Sequence, residues 1–170
     1  MVSGPPGAGK TTVSALLAAS AERGVHIESD HFFRFIRGGY VYPALPGSQQ
    51  QNEIVMRAVA DAAAAYASGG YFTVVEGIIS PPWFMRPVRD RLHEHGLGTA
   101  YALLLAPLEV CLERAHGRET DPLETEDVIR RLYSDFEGTM AGHVIDTATL
   151  DPMQAAAEIR AQLEAGKLAI

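Results

Sequence analysis

A glycine-rich loop near the start of the sequence constrains the fold more than any other stretch: it reads Gly4-Pro5-Pro6-Gly7-Ala8-Gly9-Lys10-Thr11. It fits the pattern G-x-x-x-x-G-K-[ST], in which backbone N–H groups converge on phosphate oxygens at a helix N-terminus. Such a loop connects a strand to a helix. We expect Lys10 to reach the phosphates of a nucleotide and the hydroxyl of Thr11 to bind Mg²⁺. The predicted nucleotide-binding residues of this loop are Gly4, Pro5, Pro6, Gly7, Ala8, Gly9, Lys10, Thr11 and Thr12.

The use of lysine supports this interpretation. Of the 14 lysine and arginine residues, only Lys10 and Lys167 are lysines. A chain that otherwise uses arginine keeps a lysine where a compact charge must fit among phosphates. This disfavours the alternative that the loop is a chance glycine-rich turn.

Apolar runs typical of buried strands alternate with helical stretches along the 170 residues, a length that suggests one domain over 1–170. The alternation predicts a three-layer α/β/α fold with a parallel sheet of about five strands and ligands at the strands' carboxyl ends. The first strand has about three residues, whereas a central strand normally has five or six, so we expect native residues before Met1. The predicted strands are 1–3, 25–28, 71–75, 99–105 and 143–148, and the predicted helices are 10–22, 30–36, 48–69, 87–94, 107–116, 124–138 and one from 151.

Three acids follow predicted strands and are candidates for the chemistry. Glu28 and Asp30 are two residues apart, and alternation in an extended segment places both on one side. We expect Asp30 to orient an acceptor hydroxyl and take its proton, and Glu28 and Glu76 to act at Mg²⁺. The alternatives are that Asp30 caps a helix and that Glu76 pairs with a surface arginine.

Arginines after the fourth strand form a candidate lid at about 116–124. Arg114 and Arg118 share a helix face if the helix persists, and a mobile arginine segment can stabilise charge that develops on a transferring phosphoryl group. The alternative is a solvated helix end with favourable cations. Arg130 and Arg131 are weaker candidates.

Loops rich in aromatic residues predict an acceptor pocket, although packing of a loop flap is an equal alternative. One loop is "FRFIRGGYVYPALPG" and the other is "SPPWF". The predicted substrate-binding residues are Arg34, Arg37, Tyr42 and Trp83, with Tyr40 beside them.

Composition excludes several classes of protein. The net charge of −7 weakens an interpretation as a binder of long nucleic acids, which favour a basic face. No apolar run approaches the length of a membrane span, and no export signal is visible, so we expect a cytoplasmic protein. The single cysteine, Cys111, excludes an internal disulfide and is expected in the core.

Four features together resemble the small-molecule kinases of the P-loop class. They are the phosphate loop, "ESD" after the second strand, a strand that ends in Glu76-Gly77, and a short arginine lid. Shikimate kinase, gluconate kinase and chloramphenicol phosphotransferase are members of that class. The stretch "HIESDHFFRFI" and the later "LPGSQQQN" are similar to bacterial AAA-family ATPases and uncharacterised kinases.

The resemblance implies a nucleoside-kinase-like P-loop NTPase fold that uses ATP and Mg²⁺. It places Asp30 at the acceptor hydroxyl, Glu28 as the first acid of an acid-x-acid pair, and Arg118 in the lid. It also places Thr147 and Ala148 near the adenine. Glutamate replaces aspartate at position 28, and the glycine triplet and lid arginine pattern of shikimate kinase are missing, which counts against shikimate as the acceptor.

The sequence therefore predicts a kinase that transfers the γ-phosphoryl group of ATP to a hydroxyl of a small molecule, in a monomer or homodimer. One alternative is a nucleotide or RNA-end kinase like the zeta toxins, with Arg34, Arg37 and Arg86 at an acceptor phosphate. Another is a nucleotide-dependent switch without an acceptor, which needs a glutamine such as those at 49–51 to position water.

Overall fold

This chain folds into a five-stranded parallel sheet with helices on both faces. The structure is a computed structural model that describes residues 1–116 and 125–170. Every strand pair is parallel, which confirms the predicted α/β class. The strands are β1 (Val2–Ser3), β2 (Gly24–Glu28), β3 (Phe72–Gly77), β4 (Ala102–Leu105) and β5 (Val144–Asp146), in the spatial order β2-β3-β1-β4-β5.

The described helices follow the predicted alternation with the strands. None of them is both long enough and apolar enough to cross a membrane. They are α1 (Lys10–Ala19), α2 (Ser29–Phe33), α3 (Gln49–Ser68), α4 (Arg86–Glu94), α5 (Leu108–His116), α6 (Glu126–Ser134) and α7 (Pro152–Glu164), with a π-helical turn at Pro81–Met85 and a 3₁₀ turn at Ala141–His143.

Local hydrogen bonds set the helix ends. α1 ends three residues earlier than predicted, where the hydroxyl of Ser20 donates to the carbonyl of Leu17 over 2.7 Å. α7 begins where proline and cap chemistry predicted. There, the carboxylate of Asp151 accepts from the backbone N–H of Gln154, whose side chain accepts from the N–H of Asp151, a reciprocal capping box.

The turn before α4 was not predicted. The backbone N–H groups of Trp83, Phe84 and Met85 all donate to the carbonyl oxygen of Ser80, at 3.1, 3.1 and 3.2 Å. This π turn places Trp83 and Phe84 in the same cavity as Glu76 and Gly77 at the end of β3.

The central strand β1 has two residues rather than the five or six expected of such a strand. Val2 nevertheless pairs with Glu76 on one side and Ala102 on the other. Beyond the backbone ladder, the buried hydroxyl of Ser3 donates to the carbonyl of Gly77 (3.0 Å) and accepts from the N–H of Ile79 (2.9 Å). A side chain thus continues the connection between β1 and the segment after β3.

Two hydrophobic cores cover the two faces of the sheet. Successive residues of β4 point to opposite faces, so Leu103 packs with α3 and α4 while Leu104 packs with α1 and α7. Both side chains are fully buried. This three-layer packing leaves the carboxyl ends of the strands open for a site.

Candidate functional site

The phosphate loop lies between β1 and α1 and is fixed by close backbone approaches. A Cβ on Gly4 would lie 2.2 Å from the carbonyl oxygen of Leu104, and one on Gly7 would lie 2.1 Å from that of Cys111. Gly9 has a φ of 90°, and its Cβ position has no atom within 4 Å. The loop is therefore held against β4 and α5 and is open above Gly9, at the N-terminus of α1, where the helix dipole favours anions.

The first two residues of α1 connect the loop to the end of β3. The Lys10 ammonium donates to the carbonyl of Pro5 across the loop at 3.0 Å. The Thr11 hydroxyl donates to Oε1 of Glu76 at 2.9 Å, and Glu76 is only 5% exposed. Burial raises the pKa of Glu76, against the opposing effects of the Lys10 charge and the Thr11 hydrogen bond. Glu76 is thus a buried partner of Thr11 and not the surface partner of an arginine.

The acids that follow β2 lie beside Glu76. Glu28 ends β2 and is in register with Glu76 on β3. Asp30 is the second residue of α2 and is exposed in the same cavity. The N-cap of α2 is Glu28, without a side-chain cap bond, so the alternative that Asp30 caps this helix is wrong.

Two histidines that were not predicted as site residues flank these acids. Nε2 of His26 lies 4.0 Å from Oε1 of Glu76, and Nε2 of His31 lies 3.9 Å from Oε2 of Glu28. Nε2 of His26 is buried without a hydrogen-bond partner among the described residues, and burial lowers the pKa of His26. The signal was available in the sequence, since residues 26 and 28 of one strand share a face.

Two predicted nucleotide contacts, Arg114 and Thr147, lie next to each other. Arg114 on α5 donates through Nη2 to the carbonyl of Thr147 at 3.0 Å, and Thr147 in turn donates its N–H to the carbonyl of Leu105. The hydroxyl of Thr147 is buried and makes no hydrogen bond to the described residues. Ala148 follows, with its N–H bonded to Asp146. Arg118 and the predicted lid beyond His116 lie outside the described residues.

A single cavity of about 1140 Å³ runs from the phosphate loop across α2 to the π turn. Lys10, Thr11, Glu28, Asp30 and Glu76 line one part of it. Five residues predicted at the acceptor line another part of it: Arg34, Arg37, Tyr40, Tyr42 and Trp83. Arg86, which was expected at an acceptor phosphate in the nucleotide-kinase alternative, does not line the cavity.

The 40–48 loop forms one wall of this cavity and is tied to α3. Gln51 accepts from the N–H of Val41 and donates to its carbonyl, at 2.9 and 2.7 Å. Asn52 and Ser48 both donate to the carbonyl of Pro43. These hydrogen bonds hold the loop in a defined shape. The loop packs against α3 and also lines the cavity, so the two alternatives given for it are compatible.

α6 contributes two residues to the cavity that the sequence ranked low or missed. Arg131 donates to the carbonyl of Ala44 in the 40–48 loop. Asp135 lines the cavity near Trp83, and burial raises the pKa of Asp135 against the opposing effects of Trp83 and Arg131. The spacing of four residues places Arg131 and Asp135 on one helix face, which is the signal that could have identified them.

The donor set suits Mg²⁺ held jointly with a nucleotide. Within residues 1–116 and 125–170, no group of three or more His, Cys, Asp and Glu side chains is placed to hold a metal. Mg²⁺ is usually bound through one or two carboxylates together with phosphate oxygens and water. The Thr11 hydroxyl beside Glu76, with Glu28 next in register, fits that pattern.

A known protein family matches most of this chain. The AAA_33 family model, described as an AAA domain, matches residues 1–142. This chain belongs to that family. No curated protein matches this AAA domain.

Solved structures share the fold of this AAA domain over nearly its whole length. A sugar kinase from a Janibacter species has a TM-score of 0.71 at 22% identity, with 96% of this chain and 92% of that chain covered. The tunicamycin resistance protein of Deinococcus radiodurans has a TM-score of 0.68 at 25% identity, with 95% and 92% covered. The APS kinase of Mycobacterium tuberculosis has a TM-score of 0.73 at 16% identity, with 96% and 95% covered. The predicted P-loop kinase fold is confirmed.

Proposed function

We propose that this AAA domain is an ATP- and Mg²⁺-dependent phosphotransferase that moves the γ-phosphoryl group to a hydroxyl of a small molecule. One observation carries the proposal: the cavity that contains the phosphate loop continues past Asp30 into a second region lined by arginines and aromatic rings. A protein that only hydrolyses or senses a nucleotide needs no such second region. The kinases and the resistance protein that share the fold support the same class.

The residues of the phosphate loop hold the nucleotide in this proposal. The backbone from Gly4 to Gly9 and the start of α1 bind the phosphates, and Lys10 moves from the Pro5 carbonyl to the β- and γ-phosphates. Thr11, Glu76 and Glu28 would hold Mg²⁺ together with the phosphates. When bound, Mg²⁺ neutralises charge on the β- and γ-phosphate oxygens.

Asp30 performs the acid–base step. Its carboxylate is exposed in the cavity between the phosphate loop and the arginines, so it can accept a hydrogen bond from an acceptor hydroxyl and then its proton. The transition state of phosphoryl transfer is loose, so positioning and electrostatics supply most of the rate. Arg118 is proposed to neutralise developing charge, while Arg114 and Thr147 form the side of the site that receives the adenine.

The two alternatives have different support. A nucleotide acceptor is compatible with Arg34 and Arg37 in the cavity, and phosphorylation of a mononucleotide panel tests it. A switch has weaker support, because two of the candidate glutamines already make structural hydrogen bonds. Gln51 bonds to the backbone of Val41, and Gln49 donates to Glu53 at 2.7 Å. A small-molecule acceptor, a cytoplasmic location and a monomer or homodimer remain predictions.

The test is transfer of label from γ-labelled ATP, with Mg²⁺, to a pool of hydroxylated metabolites, antibiotics and nucleotides. We expect a new labelled small molecule. Asp30→Asn should lower turnover by about 10²-fold or more with ATP affinity nearly intact. Asp61→Asn, which removes an exposed carboxylate bonded to Arg91, is the matched control and should retain full activity. Label found only in free phosphate, at a rate indifferent to the pool, would contradict the proposal.

A further inference from the structure

The region of the cavity beyond Asp30 combines two kinds of side chain. Arg34 and Arg37 supply positive charge, while Tyr42, Leu45 and Trp83 supply aromatic and apolar surface. The two kinds of side chain bind different parts of a ligand, so their combination restricts the chemistry of the acceptor.

The arginines are available for an anion. In residues 1–116 and 125–170, no carboxylate lies within ion-pair distance of Arg34 or Arg37. Both side chains are exposed in the cavity. A guanidinium binds a carboxylate or phosphate through paired N–H groups, so an acceptor with either group finds a partner here.

Helix geometry places Arg34 beside the proposed base. The backbone N–H of Arg34 donates to the carbonyl of Asp30 at 3.3 Å, which places the two residues one helical turn apart. Residues so related have Cβ atoms about 5–6 Å apart on one face. One acceptor molecule can therefore meet Asp30 with its hydroxyl and Arg34 with its anion.

Apolar side chains at the cavity are left uncovered to an unusual degree. Trp83 is 55% exposed, Tyr40 44% and Leu45 43%, and all three line the cavity. Grouped exposed apolar surface in a cleft marks a binding site.

The volume agrees with a bulky acceptor. Ligand pockets commonly measure about 300–1000 Å³. The cavity of about 1140 Å³ exceeds that range, which leaves room for a nucleotide and a bulky second molecule. A small polyol acid would leave the rings without contact, and an uncharged aromatic alcohol would leave both guanidinium groups without an anion.

We propose that the acceptor is an anionic alcohol with an aromatic body, whose hydroxyl meets Asp30 while its anion meets Arg34. This inference rests on the proposed phosphotransferase function. In the transfer, the acceptor oxygen forms a bond to the γ-phosphorus, and the bond from that phosphorus to the β–γ bridging oxygen breaks. ADP leaves with that electron pair, and the hydroxyl proton passes to the carboxylate of Asp30.

Three sugar derivatives separate the two requirements. Phenyl β-D-glucuronide has the ring and the anion, methyl β-D-glucuronide lacks the ring, and phenyl β-D-glucoside lacks the anion. Trp83 is the single tryptophan of the chain and reports binding through its fluorescence, with calorimetry as the second measurement. Titrations use the full chain with Mg²⁺ and a non-hydrolysable ATP analogue, whose own binding shows that the protein is folded.

We expect phenyl β-D-glucuronide to bind at least ten-fold more tightly than either control compound. Arg34→Met should remove the advantage over the glucoside and keep the advantage over the methyl compound. Trp83→Leu, followed by calorimetry, should do the reverse. Equal affinities for the three compounds, or no binding of any of them while the ATP analogue binds, would overturn the inference.

Reactions of the same compounds with γ-labelled ATP in place of the analogue distinguish failure of this inference from failure of the proposed function. Transfer of label to both glucuronides with equal efficiency retains the phosphotransferase and overturns the aromatic requirement. The expected binding preference without transfer of label to any hydroxyl of the metabolite pool retains the anionic aromatic ligand and contradicts the phosphotransferase.

Discussion

Glu76 is a buried carboxylate whose charge serves the site and costs stability. It is 5% exposed, and burial is the largest influence on its pKa, which lies above the ordinary value of 4.5. The folded protein therefore binds a proton at Glu76 more tightly than the unfolded chain does. At neutral pH the ionised carboxylate disfavours folding, even though Thr11 and Lys10 offset part of the effect.

Glu76→Gln removes that charge and keeps the shape and the acceptor for Thr11. The raised pKa means that ionised Glu76 disfavours folding, so we expect the variant to be more stable than wild type at pH 7.5, with a higher Tm. For a chain of this size each 1 kcal/mol of added stability raises Tm by about 2–4 °C. Mg²⁺-dependent phosphoryl transfer should fall by about 10²-fold, because a ligand near the metal loses its charge.

The raised pKa of Glu76 determines how the stability difference between the variant and wild type changes with pH. As pH falls through the raised pKa of Glu76 toward 4.5, wild-type Glu76 gains its proton and the destabilising charge disappears. The difference in Tm between the two proteins should therefore be largest at pH 7.5 and close toward pH 4.5. Glu113→Gln changes an exposed carboxylate on α5 and should show no difference at any pH. A Glu76→Gln variant less stable than wild type at pH 7.5, or a pH-independent gap, would refute the reasoning.

Two other variants test the phosphate loop and the short central strand. Lys10→Ala should weaken ATP binding by about 10²-fold in calorimetry, while Lys167→Ala should not; normal binding by the Lys10 variant would contradict the assigned phosphate site. Ser3→Ala leaves the carbonyl of Gly77 and the N–H of Ile79 without their buried partner, so we expect a loss of about 2 kcal/mol in the free energy of unfolding by urea. Ser134→Ala, at an exposed helix end, should change it by under about 0.5 kcal/mol, and equal losses in the two serine variants would argue against the buried network.

The sequence predicted the parts of the molecule that depend on local pattern. The phosphate-loop motif requires a strand before it and a helix after it, and β1 and α1 occupy those places. Buried apolar runs located β3 and β4 within a few residues. Because the carboxyl ends of parallel strands meet at one edge, the motif and two strand-end acids were enough to predict that Thr11, Glu28 and Glu76 lie together.

The remaining features depend on contacts between distant segments. Trp83 in the turn before α4 and Asp135 at the end of α6 line the same cavity, and no local pattern indicates that they lie near each other. The π turn arises because three N–H groups share the carbonyl of Ser80, which periodicity does not reveal. The short β1 was predicted, but the buried hydrogen bonds of Ser3 to Gly77 and Ile79 were not, because they join distant segments.

The two ends of the cavity are built differently, and this affects how the protein can change. The phosphate end rests on backbone approaches at Gly4 and Gly7 that leave no room for a side chain. The opposite end is assembled from side chains on the 40–48 loop, the π turn and α6, joined by contacts such as that of Arg131 with Ala44, 87 residues apart. Substitutions there can accumulate without disturbing the nucleotide, as long as the backbone of the loop keeps its position against α6. Chimeras that exchange both segments together should therefore alter acceptor choice where exchange of one alone only damages the site.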